Sequence, residues 1–186
     1  MPPDARILIV DDHQDTLYAL ENVLAPLGHR IARATSGDEA LKQVLRGRVG
    51  LLVLDVRMPG VSGLDVVRYL RRLEQTQHIP VVLLTGFGPD QELTSTAFGL
   101  GVADLVMKPV DPLALRTKVR YLYDAHQRYL TLQEETLALR ARVRDLGAER
   151  PDTRLPVQRD VEARASGPRT PRATPTAPGE PVRRAR

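Results

Sequence analysis

Asp11, Asp12, Asp55, Thr85 and Lys108 are the residues of this 186-residue chain whose types could together do chemistry. Three carboxylates in one crevice repel one another. Two unit charges about 4 Å apart cost about 4 kcal/mol at an effective dielectric near 20. A hard divalent cation relieves that repulsion. Few protein oxygens, completed by waters and a phosphoryl oxygen, suit Mg²⁺. The lysine adds a mobile cationic donor for phosphate oxygens, and the threonine a hydroxyl donor. One carboxylate can then attack a phosphoryl group and form an acyl phosphate. Catalysis would be mostly positioning and charge neutralisation.

The five residues are far apart in sequence, so the elements that hold them decide the matter. Each follows a short apolar run. Arg6–Val10 (RILIV) ends at Asp11-Asp12, Leu51–Leu54 (LLVL) at Asp55, Val81–Leu84 (VVLL) at Thr85, and Leu105–Met107 (LVM) at Lys108-Pro109. Arg30–Ala34 (RIARA) is a weaker run that suits an edge strand. Near-continuous apolar runs of this length fit parallel strands buried on both faces. Helical patterns lie between them. Leu17, Leu20, Val23, Leu24 and Leu27 share a face in Asp15–Leu27, which Gly28 stops. Ser36-Gly-Asp-Glu39 is a capping box opening a helix to about Arg46. Ser62 caps a helix predicted over Gly63–Gln75. Pro89 and Pro112 suit the first turns of two more. Five β–α units predict an α/β fold with a doubly wound five-stranded parallel sheet in the flavodoxin-like order 2-1-3-4-5. Ligands of such sheets bind beyond the carboxyl ends of the strands, where all five residues fall.

The segments VDDH at 10–13, LDVRMPGVSG at 54–63, LLTG at 83–86 and MKP at 107–109 resemble the response-regulator receiver domain of two-component signalling. The likeness covers roughly residues 5–125. It implies that Asp55 accepts the phosphoryl group. It implies that Asp12, Asp55 and the backbone carbonyl of Arg57 ligate Mg²⁺, with Asp11 holding it through water. It implies that Lys108 and Thr85 contact the phosphoryl oxygens and that Lys108-Pro109 is cis. One position departs from the pattern. Receivers usually carry Tyr or Phe three residues before the lysine, and that ring swings inward when the Thr engages phosphate. Here the residue is Leu105, which puts the output switch in doubt, with Phe87 as a weak substitute.

Competing readings of the same residues are poorer. His13 reads as an exposed loop or first-turn residue rather than a ligand. Met58-Pro59-Gly60 is a turn beside Asp55. Gly86 and Gly88 match no P-loop. Haloacid-dehalogenase-like phosphatases place Asp-x-Asp after the first strand, whereas the acids here are adjacent. No Gly-x-Ser-x-Gly elbow supports a hydrolase. The absence of cysteine excludes a disulfide framework, a thiolate zinc site and a Cys nucleophile. No run is long enough for a membrane span, and the N-terminus lacks a signal-peptide layout, so a cytoplasmic location is expected.

The chain carries 27 basic and 23 acidic residues, net +4. The excess is uneven: residues 1–112 are net −3, 113–150 net +3 and 151–186 net +4. The last stretch contains seven prolines and almost no large apolar residues, and is expected to be a disordered Arg/Pro-rich tail. From Pro112 no Gly or Pro intervenes until Gly147, which predicts a long helix. A 4,3 spacing runs Leu115, Lys118, Leu122, Ala125, Tyr129, Leu132, Thr136, Leu139, Val143, Leu146. It predicts a coiled-coil homodimer through a helical extension over 126–150. No second globular domain is expected after it. The resulting expectation is a phosphoryl-accepting regulator with a histidine kinase or phosphotransfer protein as donor. It would not be an enzyme beyond self-catalysed phosphotransfer and dephosphorylation at Asp55. A phosphorylation-independent adaptor is the alternative. A DNA-binding regulator acting through the basic tail is less favoured.

Overall fold

The computed structural model describes residues 5–86, 88 and 91–148. Five parallel strands form one sheet: β1 (Arg6–Val10), β2 (Ile31–Ala34), β3 (Val49–Asp55), β4 (Val81–Thr85) and β5 (Asp104–Met107). Their order is β2-β1-β3-β4-β5, as predicted. The helices are α1 (Gln14–Leu24), α2 (Gly37–Leu45), α3 (Gly63–Arg72), α4 (Gln91–Gly99) and α5 (Pro112–Ala148).

The apolar runs of β1, β3 and β4 are continuous because these strands are covered on both faces, whereas the edge strands β2 and β5 are only partly covered. Leu8, Val10, Leu52, Leu54, Val81 and Leu83 pack with α2 (Ala40, Val44), α3 (Val66, Val67, Leu70) and α4 (Ala97). The alternate residues Ile7, Ile9, Leu51, Val53, Val82 and Leu84 pack with α1 (Leu17, Leu20, Leu24) and α5 (Leu115, Val119, Tyr123). Adjacent strand residues point to opposite faces, so two cores share one sheet.

Several boundaries differ from expectation. The first helix tightens to a 3-10 turn at Ala25–Leu27, because Pro26 has no N–H to continue the ladder; Gly28 then closes it at φ 72°. The third helix stops at Arg72, three residues early, with Leu73 extended. Buried Thr76 turns its hydroxyl back onto the Leu70 carbonyl at 2.9 Å and satisfies that helix end. The capping box at Ser62 forms with Asp65. Pro89, Phe87 and the tail over 151–186 lie outside the described residues.

α5 has two different faces. Leu115, Val119, Tyr123 and His126 are buried against the sheet, a 3.6-residue period. The predicted 4,3 stripe coincides with that face only at Leu115 and half-buried Leu122. Lys118 is instead exposed and pairs with Asp104 of β5. From Leu132 to Leu146 every α5 side chain is exposed, including Leu132, Leu137, Leu139, Val143 and Leu146.

Tyr123 donates its hydroxyl to the Ala5 carbonyl, and its ring lies over Gly50, where an added Cβ would sit 2.8 Å from Tyr123 Cε2. The β1–β3 register shifts here, between Arg6 and Ile7.

His126 is only 6 % exposed and stacks on His78 with ring centroids 5.2 Å apart. Burial, then the neighbouring His78, pushes its pKa down to about 4. The folded state therefore binds this proton more weakly than an unfolded chain titrating near 6.5. The stabilising contribution is complete above about pH 6.5 and is lost as the pH falls toward about 4. Urea unfolding is expected to show about 2 kcal/mol less stability from this group between about pH 7 and about pH 5. His126→Phe should remove that part of the pH slope; an unchanged slope would contradict the assignment.

Candidate functional site

Four neighbouring strands, β1, β3, β4 and β5, deliver their ends to one crevice. Asp11 follows β1, Asp55 closes β3, Thr85 closes β4 and Lys108 follows β5. Parallel register aligns these ends: Val10 pairs with Leu54, Asp55 with Leu84, and Thr85 with Met107. The Lys108–Pro109 peptide is cis, and Lys108 N–H donates to the Thr85 carbonyl at 2.8 Å.

Lys108 bridges two of the acids. Its Nζ lies 2.7 Å from Asp11 Oδ2 and 2.6 Å from Asp55 Oδ1. Burial opposes the charge on Lys108, but hydrogen bonds to Asp11 and Asp55 outweigh it and hold the pKa above the usual lysine value. Asp11 is fully buried, and its Oδ1 accepts the His13 backbone N–H at 2.9 Å. Asp55 is 6 % exposed, and its Oδ2 accepts the Arg57 N–H at 2.8 Å. Thr85 is buried beside them. The predicted set Asp11, Asp12, Asp55, Thr85 and Lys108, with the Arg57 backbone, thus gathers at one end of the sheet.

Sequence reasoning gave His13 no part here, and its side chain is indeed largely exposed. Yet its Nδ1 sits 3.0 Å from Asp12 Oδ1 and 3.3 Å from Asp11 Oδ1. The approach to Asp12 is short but not aligned as a hydrogen bond, so Asp12 Oδ1 is buried without a hydrogen-bond partner. Its position directly after the acidic pair was the available signal. Gly63 was also missed as a site residue. It opens α3 against the Asp55 backbone, where a Cβ would lie 2.2 Å from the Asp55 carbonyl oxygen.

A divalent cation fits this donor set. One ammonium against three carboxylates leaves two negative charges in the crevice. Asp12 Oδ1 is an oxygen without a hydrogen-bonding partner, and Asp11, Asp12 and His13 offer ligand atoms within 4.8 Å of one another. Oxygen donors of this kind suit a hard cation.

Leu105, half-buried on β5, pairs in register with Leu83 and packs against the core that holds α2 and α3. Two residues further along β5 Met107 is exposed, as is Phe98 of α4.

A sheet of this order with an acidic crevice at its switch point is the frame of a phosphotransfer signalling domain. The chain belongs to the response regulator receiver domain family, whose model matches residues 7–120. Members of this family act in two-component systems, where aspartate phosphorylation and Mg²⁺ are typical. The cyclic di-GMP phosphodiesterase response regulator RpfG of Xanthomonas campestris is 35% identical over 140 residues, which is 74% of this chain and 37% of RpfG. The chemotaxis protein CheY of Pseudomonas aeruginosa is 32% identical, covering 64% of this chain and 96% of CheY. A crystal structure of a putative response regulator from Chloroflexus aurantiacus superposes with a TM-score of 0.60 at 32% identity, over 64% of this chain and 98% of that one. The chain spans less than half the length of RpfG and of AfsQ1 from Streptomyces coelicolor. Among the described residues no helix is long and apolar enough to cross a membrane.

Proposed function

We propose that this chain is a cytoplasmic response regulator that takes a phosphoryl group from a histidine kinase or phosphotransfer protein onto Asp55. The observation that carries the reading is Lys108 Nζ held between Asp11 and Asp55, beside an Asp12 oxygen that lacks a hydrogen-bond partner. Mg²⁺ would be held by Asp12, Asp55 and the Arg57 carbonyl, with Asp11 reached through water; when bound, it neutralises charge on the phosphoryl oxygens. An Asp55 carboxylate oxygen attacks phosphorus and forms the new O–P bond. The P–N bond to the donor imidazole breaks, and its electron pair stays on the imidazole nitrogen. Lys108 holds the carboxylate in place beforehand and then serves a phosphoryl oxygen, while the Thr85 hydroxyl donates to another. The test is uptake of one hydroxylamine-labile phosphoryl group from a small acyl-phosphate donor with Mg²⁺. No uptake overturns the reading.

Output would run through protein contacts, either at the α4–β5–α5 face or along the extension over 126–150. The exposed residues on α5 support a homodimer. In a parallel pair, Tyr129, Leu132, Thr136, Leu139, Val143 and Leu146 form the seam, and Glu135 of one helix meets Arg140 of the other. Sedimentation is expected to show a concentration-dependent dimer that Leu139→Glu converts to monomer. A wild-type chain that stays monomeric at high concentration would remove the extension from the output.

The core packing of Leu105 favours a second reading, a phosphorylation-independent adaptor. An aliphatic side chain cannot offer the ring that couples phosphate to the output face. Partner binding unaffected by Asp55→Asn would select it. A DNA-binding role for the segment 151–186 falls outside the described residues.

A further inference from the structure

At the end of the sheet opposite Lys108, four cationic side chains line one cavity. Arg6 opens β1, Lys42 lies on α2, Arg46 caps it, and Arg48 sits in the link to β3. With Glu39, Gln43 and Gly47 they bound 540 Å³. β1 separates this cavity from the Asp11 end of the sheet by about 17 Å, at about 3.3 Å per residue.

The one acid in the lining is already committed. Glu39 accepts hydrogen bonds from Thr35 N at 2.8 Å, Thr35 Oγ1 at 3.0 Å and Gln43 Nε2 at 3.4 Å. The Thr35 backbone bond is the main reason its carboxyl stays below the usual range. The cations are not committed in this way. Arg6 Nη2 reaches the Gln43 carbonyl at 3.3 Å, yet Arg6 Nε is buried with no hydrogen-bond partner. Arg46 and Arg48 make no side-chain hydrogen bond or ion pair among the described residues, and Lys42 makes none within 4 Å, although its charge helps to lower the Glu39 carboxyl. Cations often gather at a helix carboxyl end to meet its carbonyls. Here Arg46 N serves Lys42 O and Gly47 N serves Val44 O, and of the four cations Arg6 alone reaches a carbonyl of that turn, Gln43 O.

Arg48 adds an independent sign. Its φ of 66° makes it the sole non-glycine residue in the left-handed region among the described residues. Glycine would suit that backbone better, and non-glycine outliers of this kind gather at ligand sites.

We propose that this cavity binds a diphosphate group, free or carried by a nucleotide. Four cations against Glu39 leave three positive charges, which matches the charge of a diphosphate near neutral pH. Arginine forks meet phosphate oxygens in bidentate fashion. The cavity is larger than one phosphate and concave, which favours a small ligand over an extended macromolecular surface. The inference goes beyond the phosphorylation of Asp55 and does not depend on it.

The test is calorimetric titration of the full chain with inorganic pyrophosphate and with ADP, in EDTA to remove divalent ions. Saturable binding with a dissociation constant of about 0.1 mM is expected. Arg48→Gly should weaken both ligands about tenfold, the loss of one charge-assisted contact. The same variant should keep or raise the urea midpoint, because glycine accepts the backbone. Arg46→Gln should repeat the loss, and Lys108→Ala should leave the affinity unchanged. Equal affinity for the two ligands supports a diphosphate site, and tighter ADP binding a nucleotide site. No saturation by about 5 mM, undiminished binding by Arg48→Gly and Arg46→Gln, or loss of binding by Lys108→Ala would each overturn the proposal.

Discussion

Asp55→Asn is expected to abolish phosphoryl uptake while leaving a folded protein. Asparagine keeps the shape but only one acceptor oxygen, whereas the carboxylate gives Oδ2 to the Arg57 N–H at 2.8 Å and Oδ1 to the Lys108 ammonium at 2.6 Å, so one of these two bonds is lost. It removes the anionic oxygen that forms the bond to phosphorus, and no rearrangement of neighbours restores it. It also removes one of three acidic side chains crowded at the strand ends, so stability should hold or rise. Intact mass after incubation with Mg²⁺ and a small acyl-phosphate donor measures the first effect, and urea unfolding the second. Equal labelling of the variant and the wild type would move the acceptor away from Asp55. A variant that fails to fold would show it in the unfolding curve, so the two causes of lost labelling are separable.

Gly63→Ala is expected to cost about 1–3 kcal/mol, the range of overpacked buried positions. A Cβ there would lie 2.2 Å from the Asp55 carbonyl oxygen and 3.0 Å from Val56 Cα. Both are backbone atoms, so no rotamer change relieves the clash. The Gly63 N–H also donates to the Val56 carbonyl at 3.0 Å, which ties the start of α3 to the strand end. Relief must therefore come from moving β3's last residue, and the folded fraction should phosphorylate more slowly. Gly86→Ala is the contrast. Nothing lies within 4 Å of an added Cβ there, so its cost should stay within about 0.5 kcal/mol. A Gly63→Ala protein as stable as the wild type would refute the close approach.

The crevice was legible because each of the four strands that reach it is a three- to five-residue apolar run that stops at a polar residue. Burial on both faces forces the first property in β1, β3 and β4. The end of the sheet, where solvent and ligand begin, forces the second. What escaped was set by contacts distant in sequence. The Thr76 hydroxyl that ends α3 is an ordinary polar residue until its carbonyl partner is known. The core-facing side of α5 includes Tyr123 and His126, a polar aromatic pair that no apolar count would choose. Leu115 and Leu122 belong to both the 3.5- and the 3.6-residue pattern, which diverge by only about 20° per heptad, so the stripe alone could not say where packing on the sheet ends. The cavity around Arg6 joins residues from β1, α2 and the following link, and no local spacing announces it.

The contact of Tyr123 with Gly50 and Ala5 gives α5 a fulcrum. The arm from Tyr123 back to Leu115 is about 12 Å, and the arm forward to Val143 about 30 Å, at about 1.5 Å per residue. A rigid helix rocking on that point returns any displacement near the Lys108 loop about 2.5 times larger at Val143, in the opposite direction. Any rocking of α5 on that contact would therefore carry the exposed residues around Val143 further than the buried residues around Leu115.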